Sequence, residues 1–322
     1  MSERLLAIAA AHCGVLSAAD AQSVDVDANG LASLVRSGVL LRVRRGAYVV
    51  GADWRAATPE QRLALCTRAV LRARGTAGEA ATHQSALAIH GLPLFGVRTD
   101  VVDIAAPVVR IRKPGTLRIH PADASLEVVE VAGCRAVSVD TALAQVALRE
   151  SRVGALVPAD RALATGAASL EHVVELVHRL GGSARVARRA QRCLSQADGA
   201  SESVGETRAR LLLLDLGHDV RSQVQISDDA GVVGARVDLL VAGRVVVEFD
   251  GLVKYGGAEG RAALALEKRR EDWLRSLGYE VVRLTWADLE RPRRVEALLR
   301  SALERAASSI TRPAARPSPT SR

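Results

Sequence analysis

At 322 residues the chain exceeds one ordinary compact domain, so two or three are expected. Hydrophobic residues make up 48% and charged residues 25%, which excludes a disordered or fibrous chain and supplies a sizeable core. The formal net charge of +8, with arginine far outnumbering lysine, permits contact with nucleic-acid phosphates without requiring it. Cys13, Cys66, Cys134 and Cys193 stand far apart with no CxxC pair, which argues against a zinc knuckle or a disulfide framework and fits a reducing cytoplasm. No apolar run is long enough to span a membrane, so no membrane partner is expected.

Leu5 to Leu16 superficially resembles a signal peptide, but Glu3, His12 and Cys13 interrupt the pattern, and an amphipathic first helix is the better reading. That helix runs from Ser2 to Cys13 and stops at Gly14. Ser17 caps a second helix through Ser23, and Asp27 caps a third through Arg36 that ends at Gly38. Val39 to Val50 then reads as a hairpin turning near Arg45-Gly46. Three small helices and a basic hairpin follow the order of a winged helix, whose third helix enters the major groove while the wing touches the backbone. Arg36, Arg42, Arg44 and Arg45 are the candidates for DNA phosphate contact; the alternative is a solvated basic hairpin on a protein-interaction domain. The wing, Gly38-Val-Leu-Leu-Arg-Val-Arg-Arg-Gly-Ala-Tyr-Val49, resembles that of the AbiEi family of antitoxins in type IV toxin–antitoxin systems. The resemblance implies a cytoplasmic DNA-binding regulator with a possible cognate toxin.

Residues 1–53 are therefore expected to form the first domain, with a linker from Trp54 to Pro59 and a mixed α/β region over 59–198. In that region Pro59 to Arg74 and Thr82 to Gly91 read as helices. His83 and His90 share a helical face, but with no acid or cysteine beside them they read as ordinary helix residues rather than metal ligands. Val97 to Ala105, Thr116 to His120 and Leu126 to Val131 alternate like strands, with a turn at Lys113-Pro-Gly115. Val139 to Ser195 returns to helix, punctuated at Gly154, Gly166 and Gly181-Gly182. Arg185, Arg188, Arg189 and Arg192 form one basic face, read as solvated, with a nucleic-acid surface as the alternative. The region loosely resembles the central part of AbiEi-type proteins and contains no catalytic constellation.

The third domain is expected over 199–306, in the order α-β-β-β-α-β-α, with a disordered Pro/Ser/Arg-rich tail over 307–322. Its strand–helix–strand step across Ala258 to Leu277 allows parallel pairing, hence a mixed sheet flanked by helices. The fold class is thus α+β and α/β multidomain. Arg244 to Asp250 carries three consecutive valines and ends in Glu248 and Asp250. Acids at the end of a buried strand need a partner, and a metal ion is the natural one. A two-residue turn at Ala242-Gly243 pairs Asp238 with Val247 and puts Asp238 and Glu248 on opposite faces. A three-residue or bulged connection pairs Asp238 with Glu248 on one face, which a shared ion requires. The alternative is that these acids form salt bridges with Lys254, Lys268 or Arg270.

The run R-V-D…V-V-V-E-F-D-G…K-Y…E-K-x-R-E-D-x-L…G-Y-x-V-V-R-x-T-W, spanning Glu202 to Trp286, resembles the DUF559 domain. That domain belongs with very-short-patch-repair-type endonucleases in the PD-(D/E)xK superfamily. The resemblance implies that Asp238 and Glu248 bind metal with Asp250 as a third acid, that Glu206 is the helix-borne acid and that Lys254 supplies the positive group. Mg²⁺ or Mn²⁺ held by carboxylates would activate water and stabilise charge on a phosphodiester. One departure stands out: the superfamily's lysine, two residues after the second acid, is replaced by Asp250, and Lys254 lies further on. The expected function is DNA binding joined to metal-dependent endonuclease-like chemistry, and the alternative is an AbiEi-like antitoxin or transcriptional regulator with a catalytically inactive nuclease-like domain.

Overall fold

The computed structural model describes residues 3–123, 125–228, 231–251 and 257–310, without side-chain detail for 257–265 and 309–310. They divide into two compact units, 1–199 and 200–322.

The first unit opens with α1 (Glu3–Ala11), β1 (Val15–Ser17), α2 (Ala18–Gln22), α3 (Ala28–Arg36), β2 (Leu40–Arg44) and β3 (Ala47–Val50). Both expected caps form: Ser17 makes a capping box with Asp20, and the Asp27 side chain accepts from the Gly30 amide. The sheet order β1-β3-β2, with Val15 opposite Val49 and Arg42 opposite Tyr48, is that of a winged helix. The sequence reading lacked β1, because three residues are too few to show alternation. Trp54 to Ala56 is not linker but the end of α4 (Gly51–Ala56). The sheet then packs through Val15, Ala47 and Val49 onto Ala69 of α5 (Pro59–Arg74). Arg72 of α5 clasps Asp20 with two 2.6 Å hydrogen bonds. The winged helix and α5 thus share one core.

The rest of this unit is β4 (Ala80–Ala81), α6 (His83–Ile89), β5 (Val102–Ala106), β6 (Leu117–Pro121), β7 (Val128–Val131) and β8 (Cys134–Val137), followed by the helices α7 (Val139–Arg149), α8 (Arg152–Ala164), α9 (Leu170–Leu180) and α10 (Ala184–Leu194). The strands form one sheet in the order β6-β5-β4-β8-β7. Leu87, Ile104, Leu117, Leu143 and Leu176 fill the core between sheet and helices. Gly154 is not punctuation: it lies in the first turn of α8, where its amide meets the Ser151 cap.

The second unit contains α11 (Val204–Asp215), β9 (Val220–Ser227), β10 (Val233–Val241), β11 (Val245–Phe249), α12 (Gly257–Ser276), β12 (Glu280–Leu284), α13 (Trp286–Leu289) and α14 (Pro292–Ile310). The sheet order is β12-β11-β10-β9. β11 and β12 run parallel, Val247 beside Val282, and the other pairs are antiparallel, so the sheet is mixed as expected. Leu239, Val241, Val245 and Val247 pack with residues of α11 and α14, while Leu240 and Val246 pack with Leu274 of α12. Both sheet faces are therefore covered, which explains the unbroken valine run of β11.

Candidate functional site

Two surfaces carry the residues singled out from sequence. On the winged helix, Arg36, Arg42 and Arg45 are exposed, at the end of α3 and along the wing. Arg44 is half-buried, and its Nη2 donates to the Pro114 carbonyl at 3.1 Å. Three of the four arginines thus face solvent, while the fourth is tied to the turn before β6. Asn29 and Ser33 of α3 are exposed on the same helix as Arg36, at spacings that share one face. Neither was singled out from sequence, because short polar residues on a surface helix are ordinary. The four arginines of α10 are all exposed, with Ala187, Ala190 and Leu194 turned inward.

In the second unit the β10–β11 hairpin takes the three-residue connection. Val241 pairs with Val245 and Leu239 with Val247, so one further step brings Asp238 opposite Glu248. Ala242 and Gly243 both adopt left-handed φ, +48° and +67°, to make that turn. Alternation from Leu240 and Val246 places Asp238 and Glu248 on one face of the hairpin, as a shared ion requires. The Phe249 amide donates to Asp238 Oδ2 at 3.0 Å, and Arg270 Nη2 of α12 donates to Glu248 Oε1 at 2.9 Å. Of the cations weighed as salt-bridge partners, Arg270 reaches Glu248, Lys268 is exposed, and Lys254 lies outside the described residues.

Glu206 stands in the first turn of α11, buried, with Oε2 accepting from the Glu202 amide at 3.0 Å and from Gln223 Nε2 at 2.9 Å. Gln223 adopts a left-handed φ of +51° within β9. Asp250, just past β11, donates its amide to the Leu284 carbonyl at 2.8 Å. Among the described residues, no three of Glu206, Asp238, Glu248 and Asp250 bring ligand oxygens within 4.8 Å of one another. The face is therefore a pair of opposed acids, with Glu206 felt through its charge and Asp250 at the strand end.

Burial pushes the Glu248 carboxyl up to about 7, and the Asp238 charge opposite adds to the effect, against the pull of Arg270. Asp238 is also raised, mainly by burial, with Glu206 and Glu202 reinforcing it and the Phe249 amide opposing. Arg270 pairs with Glu248 and Arg236 with Glu202, so the four carboxylates still outnumber these two guanidiniums, and that deficit suits a dication. Asp238 Oδ1 and Glu248 Oε2 accept no hydrogen bond among the described residues, which leaves hard oxygen donors of the kind Mg²⁺ takes.

Glu267, Arg270 and Glu271 of α12 join Glu248 and Arg283 in one ion-pair network, while Lys268 and Asp272 are exposed. Trp273 packs over Gly234, where a Cβ would come within 2.3 Å of the indole. Gly234 falls at the register shift of β10, so the bulge accommodates the indole.

No described helix is long and apolar enough to cross a membrane. No curated protein matches the chain. Residues 3–51, the winged helix through β3, match the family model described as the AbiEi antitoxin transcriptional regulator.

Proposed function

We propose that this protein is a DNA-binding regulator of the AbiEi kind. The match over residues 3–51 carries this reading, because it coincides with a winged helix whose α3 and wing expose Arg36, Arg42 and Arg45. In this reading α3 lies in the major groove with Asn29 and Ser33 toward the bases, and the arginines hold phosphates. Arg44 serves the fold, holding the wing to the Pro114 carbonyl.

A second reading rests on the hairpin register: the C-terminal unit is a metal-dependent, endonuclease-like domain of the PD-(D/E)xK kind. Asp238 and Glu248 would hold Mg²⁺ or Mn²⁺ while water and phosphate oxygens complete its shell, and the ion would activate the attacking water. Arg270, already on Glu248, is a cation among the described residues that could oppose phosphate charge. In this reading the winged helix delivers the second unit to DNA. In the regulator reading it acts by occupancy, with a cognate toxin as the expected partner.

One experiment addresses both. Duplex DNA is titrated with wild type and with Arg36→Ala/Arg42→Ala/Arg45→Ala at several salt concentrations, and plasmid is incubated with Mg²⁺ or Mn²⁺. We expect tight wild-type binding that weakens with salt, and a weaker, less salt-dependent complex in the triple variant. Nicking by wild type that disappears in Asp238→Ala, with binding retained, supports the endonuclease reading. Binding without nicking leaves the regulator alone, and failure to bind any duplex at low salt overturns both.

A further inference from the structure

A second constellation lies in the first unit, remote in sequence from both the wing and the β10–β11 hairpin. His83 opens α6, Asp103 lies in β5 and His120 in β6. β5 and β6 run parallel with Ala105 beside His120, so Asp103, two residues before Ala105, projects to the same face. One ligand atom from each of His83, Asp103 and His120 lies within 4.8 Å of the others. The two imidazole rings stack at 4.3 Å. We propose that these three residues bind a single borderline first-row dication of the Zn²⁺ type.

The donor set decides the class of ion. Two imidazole nitrogens and one carboxylate oxygen suit Zn²⁺ and its neighbours, whereas Mg²⁺ takes oxygen almost exclusively. Three protein ligands also leave the fourth tetrahedral position for water or a ligand.

The hydrogen bonds behind the cluster fix which nitrogen His83 offers. Gln145 Oε1 accepts from the His83 backbone amide at 2.9 Å, so that atom is the amide oxygen. The Thr82 hydroxyl, 2.6 Å from the same oxygen, must donate to it and spends its one proton there. Thr82 Oγ1 can then only accept from His83 Nδ1, 3.2 Å away. Nδ1 therefore carries the hydrogen and Nε2 presents its lone pair, with no donor to it among the described residues. Fixing a ligating histidine through its second nitrogen is a recurrent feature of metal sites.

The carboxylate is similarly held. Asp103 Oδ2 accepts from Gln84 Nε2 at 2.8 Å, and the Asp103 amide donates to Ser85 Oγ at 2.9 Å. Oδ1 accepts from His120 Nε2 at 2.6 Å and from Arg149 Nη1 at 3.1 Å. A bound ion would replace the His120 hydrogen bond and displace Arg149, which keeps a second acid, Glu150, 3.6 Å away. His83 adopts a left-handed φ of +53°, a conformation that side chains rarely take and that persists where the surroundings dictate it. A purely structural network does not need this strained residue with a ring nitrogen left without a donor beside a carboxylate and a second imidazole.

The test is titration of the full chain with Co²⁺, followed by visible absorption. One equivalent with a tetrahedral ligand-field band, displaced by Zn²⁺ and abolished in both His83→Gln and His120→Gln, is expected. Asp238→Ala should leave the band unchanged. Thr82→Val keeps all three ligands but releases the Nδ1 hydrogen, and should weaken affinity about 10–100-fold. That variant decides the matter if circular dichroism shows the histidine variants unfolded. No stoichiometric binding by wild type, a band that survives both histidine substitutions, wild-type affinity in Thr82→Val, or thiolate charge-transfer absorption assigning the metal to a cysteine would overturn the proposal.

Discussion

Single residues account for both what sequence reading reached and what it missed. Ser17 and Asp27 are caps identifiable from residue type and position, and each accepts the expected amide. The histidines show the opposite case. From sequence His83 and His90 were a pair on one helix face, but His90 Nε2 meets the Val137 carbonyl at 2.9 Å, while His83 turns to Asp103 and His120. Those partners lie on two strands, and only sheet pairing brings them to the helix start, so no local pattern could announce them. Glu248 was legible as an acid misplaced at the end of an apolar strand, and its environment makes a pH prediction. The folded carboxyl titrates near 7 and the unfolded one near 4.5, so between those values the native state holds a proton that the unfolded chain releases. Stability should therefore fall as pH rises through this window, by up to about 3 kcal/mol for a shift of this size. Glu248→Gln should flatten that dependence and be the more stable protein at pH 8, read from urea unfolding at pH 5 and pH 8. An unchanged pH slope in the variant would show that Glu248 is not the source.

At the scale of elements, register determines which side chains meet. The sequence left the β10–β11 connection open by one residue, because a Gly-containing turn fits either count. Burial selects between them: the observed register sends Leu239, Val241, Val245 and Val247 together into the core with α11 and α14. Helix α11 also closes on the end of β11 at Gly205. A Cβ on Gly205 would come within 2.0 Å of the Phe249 ring, which stands edge-on to Trp286 with centroids 4.8 Å apart. Gly205→Ala must push Phe249 or the helix aside, at a cost of about 1–3 kcal/mol. Phe249 follows Glu248 and its amide holds Asp238, while Gly205 precedes Glu206, so one methyl group disturbs all three acids. Chemical unfolding should show that loss, and DNA binding by the winged helix should be unaffected. Wild-type stability in Gly205→Ala would mean that the helix and ring are not in this contact.

For the whole molecule, the two units have separate cores. Leu87, Ile104, Leu117 and Leu143 belong to one, and Leu213, Leu239, Val247 and Leu299 to the other. The first unit is larger than a winged helix plus a linker, because α4 and α5 are continuous with it: Ala69 lies in the same cluster as Val15, Ala47 and Val49. Composition offered no sign of this, since Trp54 to Pro59 is a short stretch between two periodic segments that ends in a proline. A chain cut after residue 53 removes α5, leaves Val15 and Val49 facing water and strips Asp20 of Arg72. Burying side chains of that size contributes about 1.5–3 kcal/mol each, a large share of the stability of so small a domain. Residues 1–53 alone should therefore be unfolded or marginal, whereas 1–199 should unfold cooperatively and carry the whole of the duplex-DNA affinity proposed for the full chain. Residues 200–310 should fold separately without that affinity. Thermal melts by circular dichroism, combined with DNA titration of the three fragments, check this directly. Cooperative folding of 1–53 would show that the α5 contact is dispensable, and DNA binding by 200–310 would move the interface away from the wing.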